Sequence, residues 1–563
     1  MTMTRQQALA QLTAPGEPYE LEIKEISGIP CRAFLNAPQS LRELYEATLS
    51  DETFFVYEDE RYSFRDMYVL ACRLATCLVN DYGVTKGDRI AISMRNYPEW
   101  VAGFTAATSI GAIAVAMNAW WEAEEIEMGL ADCGAKVILA DRERLIRLEQ
   151  CAERIDAKVI AIRPDAANTL GTEFHTALQA YGNDTPMPAV EVLPEDPATI
   201  FYTSGSTGFP KGAMATHRNI ISSLFSWELD GQSMLLTTGA TPPELKHQAA
   251  TLLAVPLFHV TGSHAVYLMS YRAQRKLISM YKWDPNAAAD LIEHEHINTF
   301  VAPAAMTGDL VQAARRSNRD LSSLMTVGGG GAPRAPEQVR DIEEAFSAAL
   351  PNTGWGMTET NAIGTGIGGN DYLDHPASSG RASAVVDLKI VDDDGNELPA
   401  GERGELLVRG VSIIHGYWQR PEANAETFVN GWLRTGDVAY VDDEGYLYIV
   451  DRIKDLIIRG GENIGCGEVE AALLEHPDVI EASVYAVPDE RLGEEVGATV
   501  YGETALLDEQ QLRSFLEEHL AKFKIPRYLD ISFEPLPRIA SGKILKREIR
   551  AQAIAKLTQH SDA

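Results

Sequence analysis

Tyr202-Thr203-Ser204-Gly205-Ser206-Thr207-Gly208-Phe209-Pro210-Lys211-Gly212 follows an apolar run, Ala198-Thr199-Ile200-Phe201-Tyr202, and precedes an amphipathic segment at residues 219–227. The run reads as a buried strand and the segment as a helix or part of one. Between them the side chains are mostly glycine and hydroxyl, with one lysine. Glycine permits positive φ and close backbone approach, hydroxyls donate hydrogen bonds, and lysine adds a mobile positive charge. Such a loop suits a polyphosphate. It is not a Walker A loop, because Lys211 is followed by Gly212 where Ser or Thr is required. The same composition also describes a flexible Gly/Ser turn, and the loop by itself leaves both readings open.

On the N-terminal side, from residue 41 to about 190, apolar strands alternate with helical patterns, most clearly at residues 89–94, 136–140 and 158–162. This alternation implies a parallel sheet with helices on its faces, and ligand loops lie at the carboxyl ends of such strands. Residues 1–35 have weak periodicity and are expected to wrap the surface. Between Trp100 and Trp121 no residue is charged, a length that raises a membrane span. Gly103, Thr105, Thr108, Ser109, Gly111 and Asn118 argue instead for a buried helix, then a strand at residues 113–117.

The bulk numbers narrow the class. A chain of 563 residues exceeds one ordinary core, so two or more domains are expected. Apolar residues at 45% and charged residues at 23% describe a soluble globular protein. A formal net charge of −32 argues against nucleic acid or an anionic membrane as a general partner. Cys31, Cys72, Cys77, Cys133, Cys151 and Cys466 form no C-x-x-C pair and no zinc spacing, so they read as reduced thiols in a cytoplasmic protein. Residues 1–16 hold no apolar signal core, and Ser561-Asp562-Ala563 is not a peroxisomal tripeptide.

Downstream, Val255-Pro256-Leu257-Phe258-His259 sets a histidine on an apolar segment, ordinarily the place of a core histidine. His294-Glu295-His296 invites a metal reading, but helical residues two apart point nearly opposite ways. Four glycines, residues 328–331, then Ala332 and Pro333, form either a loose hinge or a wall where side chains would block a ligand. Asn352-Thr353-Gly354-Trp355-Gly356-Met357-Thr358-Glu359-Thr360 offers a flat indole and a hard oxygen. Hairpin texture begins at Asp387 and suggests a small antiparallel barrel. Trp432-Leu433-Arg434-Thr435-Gly436-Asp437, Asp451-Arg452-Ile453-Lys454-Asp455, Gly460-Gly461 and Ser541-Gly542-Lys543 follow in that order.

Taken in sequence, these segments resemble the signatures of the adenylate-forming (AMP-binding) superfamily, which includes acyl-CoA synthetases, luciferases and peptide-synthetase adenylation domains. The chain is most similar to a fatty acyl-CoA synthetase, an acid–CoA ligase. The resemblance implies an α/β fold: a large N-terminal domain of two α/β subdomains plus a β-barrel, and a small mobile α+β C-terminal domain. The boundary would fall at residues 1–453 and 454–563, with the hinge at Lys454. It implies ATP-dependent conversion of a carboxylic acid to acyl-AMP, then thioester formation with CoA. The alternatives are delivery of the acyl group to a carrier protein or another acceptor, and a non-catalytic nucleotide-binding relative.

By the same resemblance the partners are a small-molecule carboxylic acid, ATP and CoA, with Mg²⁺, and a homodimer is possible. Thr203, Ser204, Gly205, Ser206, Thr207, Gly208 and Lys211 would hold phosphates. Gly330, Gly331 and Ala332, with Gly354, Trp355, Gly356, Met357 and Thr358, would line the acyl pocket and the adenine site. Glu359 and Thr203 would hold the metal, Asp437 the ribose diol, and Arg452 ribose or phosphate. Lys211, Glu359, His259 and Lys543 would be catalytic. Gly460 and Gly461 would pass the pantetheine arm. A pocket walled by glycines is expected to be roomy and to take a medium- or long-chain fatty acid or a bulky apolar acid. Where relatives have an aromatic-proline pair, this chain has Gly465-Cys466-Gly467, and that loop is expected to be looser.

Overall fold

The computed structural model describes residues 3–561 except 167–169, 204–209, 242–243, 332–333, 347, 461, 503–506 and 541. Among these, two large sheets build the first part of the chain. The first has eight strands, with Pro197–Thr203 between Ile113–Ala116 on one side and Lys211–Thr216 on the other. Pro197–Thr203 runs parallel to Ile113–Ala116, and Arg89–Ser93, Val137–Asp141 and Lys158–Ile162 continue the parallel ladder. The second has nine strands, and its centre is the parallel set Lys276–Ser279, Ala250–Leu253, Thr299–Val301, Thr326–Gly330 and Leu350–Gly354.

Residues 100–121 form the buried helix Pro98–Ser109 and the strand Ile113–Ala116, and every side chain of that helix is buried. Among the described residues no helix is long and apolar enough to cross a membrane. The join after residue 203 is more than a loop before a helix: Lys211–Thr216 folds back antiparallel on Pro197–Thr203, pairing Thr203 with Lys211. Helix His217–Thr238 starts only after this hairpin, capped by Thr216 and ended by Gly239 at φ +66. The first 35 residues are likewise more regular than their periodicity implies. They form helix Arg5–Leu12 and a two-stranded hairpin, Leu21–Ile26 with Ile29–Phe34.

Strands Val386–Val391, Gly404–Gly410, Trp432–Val441 and Leu447–Arg452 form the antiparallel barrel, around a core of Leu406, Val408, Leu433, Ala439 and Leu447. The C-terminal sheet has its own core, including Ile457, Val469, Val484, Val496, Val500, Leu512 and Leu516. Gly465-Cys466-Gly467 is tight, not loose. Cys466 is fully buried, its N–H donates to Asp451, and its Sγ donates to the Asp455 carbonyl at 3.2 Å. A Cβ on Gly465 would lie 3.2 Å from the Val450 carbonyl oxygen, so the missing side chain permits a close backbone approach.

Candidate active site

Thr203, Gly330 and Gly354 are the last residues of their strands, and all three line a cavity of about 2570 Å³. The barrel contributes Asp437 and Arg452 to the wall, and the C-terminal segment contributes Lys543. His259, Gly331, Trp355, Gly356, Met357, Thr358, Glu359 and Lys211 line the same space. Ser204, Gly205, Ser206, Thr207, Gly208, Ala332 and Gly461 lie outside the described residues. Gly460 is described and does not line the cavity; its N–H donates to the Leu492 carbonyl at 2.8 Å.

Glu359 sits in a single 3₁₀ turn, Thr358–Thr360, closed by Asn361 and Ala362 in left-handed backbone at φ 55 and 64. Asn361 is fixed from two sides: its amide donates to the Ser412 carbonyl at 2.8 Å, and its Oδ1 meets His264 Nε2 at 3.2 Å. Burial pushes His264 down to about 3, so the ring is neutral and serves as a strut. The Tyr417 hydroxyl donates to Glu359 Oε1 at 2.7 Å. Tyr417 lies on the strand paired with Lys211–Thr216, and Lys211 Nζ stands 5.2 Å from its ring centroid. Burial raises the Glu359 pKa, with Tyr417, Arg452 and Lys211 opposing.

Among the described residues no cation forms an ion pair with this buried carboxylate, which leaves it open to a metal ion. No group of three His, Cys, Asp or Glu is present among them to make an all-protein metal cage. One carboxylate and the Thr203 hydroxyl fit Mg²⁺, which takes few protein oxygens and completes its shell with phosphate and water. Thr203 Oγ1 donates to the Lys211 carbonyl at 3.3 Å.

Asp437 is buried and held at both oxygens. Arg452 Nε pairs with Oδ1 at 2.6 Å, and the Trp355 indole N–H donates to Oδ2 at 2.8 Å. Asp437 and Arg452 face each other across neighbouring barrel strands, which sets this geometry. Burial raises the Asp437 pKa, while Arg452, Trp355 and Lys543 act against it. The indole of Trp355 is therefore an edge-bonded part of the barrel core as well as a wall of the cavity. It packs so closely on Gly364 that a Cβ there would lie 2.5 Å from the ring.

Lys543 reaches the cavity from the C-terminal segment, near enough that a Cβ on Gly331 would lie 3.8 Å from its Nζ. Burial lowers its pKa, Arg452 acts in the same direction, and Asp437 opposes. Arg538, five residues earlier, bridges Asp309 of the larger part at 3.1 Å and Glu481 of the C-terminal sheet. His259 faces the same space. Burial, reinforced by Lys543, pushes it down to about 4, and its buried Nε2 has no hydrogen-bond partner among the described residues.

The glycines at 328–330 do not simply leave empty room. A Cβ on Gly328 would lie 2.0 Å from Asn352 Oδ1, on Gly329 2.3 Å from the Ala302 carbonyl oxygen, and on Gly330 2.6 Å from that of Gly354. Their missing side chains let strands and loops close together, and Gly331 is the one whose Cβ position faces Lys543. Sequence reading passed over Tyr417, Arg334, Arg5 and Asp230. Arg334 follows the glycine segment directly and lines the cavity, donating to Thr307 Oγ1 at 2.8 Å. Burial lowers its pKa. Position beside a recognised motif was the available signal for Arg334; Tyr417, 58 residues beyond Glu359, offered none.

Residues 44–418 match the family described as AMP-binding enzyme, and residues 468–543 match the AMP-binding enzyme C-terminal domain. A long-chain-fatty-acid–CoA ligase of Mycobacterium tuberculosis is 34% identical over 494 residues, covering 88% of this chain and 93% of that one. A 4-coumarate–CoA ligase of Oryza sativa subsp. japonica is 33% identical over 519 residues, covering 88% of each. The solved o-succinylbenzoate CoA synthetase of Bacillus subtilis, in complex with its acyl-adenylate intermediate, is similar at 28% identity and a TM-score of 0.76. That match covers 92% of this chain and 99% of that chain.

Proposed function

The chain belongs to the AMP-binding enzyme family, as an AMP-forming acid–CoA ligase that uses ATP, CoA and Mg²⁺, and we propose that its acid is bulky and largely apolar. The class includes medium- and long-chain fatty acids and bulky ring acids; relatives are named for a long-chain fatty acid and for 4-coumarate. One observation supports the reading most directly. Lys543 from the C-terminal segment and Asp437, Arg452, Glu359 and Lys211 from the larger part all face one cavity.

The chemistry follows from the charges. A carboxylate is a poor electrophile because its negative charge repels nucleophiles. One of its oxygens attacks the α-phosphorus of ATP, the bond to the β-phosphate oxygen breaks, and pyrophosphate leaves. Lys543 supplies an ammonium beside Gly331 and stabilises the oxygens around the reacting phosphorus. Asp437 accepts the ribose hydroxyls, with Arg452 holding its carboxylate in place. Glu359 and Thr203 would hold Mg²⁺, which when bound would supply charge stabilisation on the phosphates. His259, neutral at physiological pH, lines the cavity with a ring nitrogen that has no partner among the described residues. The CoA thiolate then attacks the acyl carbon and AMP leaves.

We take Lys454 as the hinge between residues 1–453 and 454–563, and the enzyme as cytoplasmic, its six cysteines being free and buried. A panel of acids assayed for pyrophosphate release, with and without CoA, tests the reading. Octanoate or cinnamate should exceed acetate in kcat/KM by at least about tenfold, because each buried methylene contributes roughly 0.8 kcal/mol. Equal turnover of acetate would refute the apolar class.

A further inference from the structure

The cavity contains a carboxylate that the proposed reaction does not use. Helix His217–Thr238 lines it with Trp227, Asp230, Gly231 and Met234, spaced three and four apart, and with further residues of its last two turns. Protein surrounds Asp230, yet its side chain keeps 21% of its surface open, and it lines the cavity. Arg5 of the N-terminal helix pairs with Oδ1 at 3.2 Å and also donates to the Ala382 carbonyl at 2.9 Å. Among the described residues Asp230 has no other hydrogen-bond or ion-pair partner, so Oδ2 keeps its lone pairs for whatever enters.

A row of glycines leads to this carboxylate. Gly330 pairs with Gly354, and the register Asn352 to Gly368 and Thr353 to Ile367 places Gly366 beside Gly354. A Cβ on Gly366 would meet nothing nearer than Asp230 Oδ2 at 4.0 Å. Gly331, at the other end, is where Lys543 stands. Neighbouring strands lie roughly 4.8 Å apart, so Gly330 to Gly366 spans roughly 10 Å.

We propose that Asp230 is a specificity-determining residue, which accepts a hydrogen bond from a hydroxyl or amine at the far end of the acid. The assignment rests on the acid-activating reading and narrows it to acids that are apolar along their length and carry a donor at the distal end. Arg5 supports the acceptor by holding one carboxylate oxygen. Burial pushes Asp230 up to about 6 even with Arg5 opposing the rise. An apolar chain end would instead bury Oδ2 against a group unable to bond it, which costs the desolvation of a charged oxygen.

The test uses two acid pairs that differ by one terminal hydroxyl: 4-hydroxycinnamate with cinnamate, and 8-hydroxyoctanoate with octanoate. Pyrophosphate release is measured for wild type, Asp230→Leu and the near-isosteric Asp230→Asn. Wild type should prefer the hydroxylated member of at least one pair by about tenfold or more in kcat/KM. Asp230→Leu should abolish or invert that preference, and Asp230→Asn, which keeps an acceptor oxygen and the side-chain shape, should retain part of it. A purely structural anchor for Arg5 would lower both members of a pair equally in Asp230→Leu, which would overturn the assignment. So would a wild-type preference below twofold in both pairs while turnover is normal. No pyrophosphate from any acid would overturn the acid-activating reading itself.

Discussion

Asp437 shows how a buried charge serves two roles. Its oxygens hold the Trp355 indole and the Arg452 guanidinium, and in the proposed mechanism the same oxygens use their remaining lone pairs on a ribose diol. Asp437→Ala should raise the KM for ATP roughly tenfold to a hundredfold, because hydrogen bonds to a charged group contribute about 1.5–3 kcal/mol. Steady-state kinetics beside a thermal melt check this, and an unchanged KM in a folded variant would remove Asp437 from the nucleotide site. At this scale the sequence was readable where residue types occur in ordered runs, as around Glu359 and Asp437. It was silent where the partner arrives by folding. Tyr417 reaches Glu359 from a strand 58 residues further along the chain, and Asp230 reads as one more polar residue on a helix until Arg5 and Gly366 are placed against it.

Periodicity located the parallel strands well, since buried strands of a doubly covered sheet are continuous apolar runs. Lys158–Ile162 and Ile113–Ala116 are examples. The strand Lys211–Thr216 was hidden because Lys-Gly-Ala-Met-Ala-Thr has little strand propensity and is held by pairing on both edges. The glycine segment was legible as special but not in its effect. Its missing side chains bring backbones together, as does that of Gly354 on the neighbouring strand, whereas Gly366 one strand further leaves space. Gly354→Ala would put a Cβ 2.4 Å from the Thr365 carbonyl oxygen, whereas Gly366→Ala meets only an ordinary contact at 4.0 Å. The first should destabilise by about 1–3 kcal/mol and lower Tm, as overpacking does. The second should melt within about 0.5 kcal/mol of wild type. A wild-type melting curve for Gly354→Ala would contradict this account of the strand packing.

Across the whole molecule, the C-terminal segment places Lys543 against Gly331 while Gly460 stays off the cavity wall. In the proposed mechanism Lys543 serves the first half-reaction, and thioester formation uses another face of the same segment, reached by rotation about the proposed hinge at Lys454. Lys543→Ala should slow acyl-adenylate formation by orders of magnitude, yet convert supplied acyl-adenylate and CoA at close to the wild-type rate. Equal slowing of both half-reactions would mean that one fixed arrangement does all the chemistry. The Arg538 bridge to Asp309 gives this position of the segment one further consequence. Acyl-adenylate is an anhydride that water destroys, and in the proposed mechanism the segment that carries Lys543, which lines the cavity, also shields it from solvent. How long that bridge holds thus becomes a clock. Too brief a closure lets the intermediate escape and hydrolyse, consuming ATP without product, and too long a closure delays every turnover waiting for the thiol.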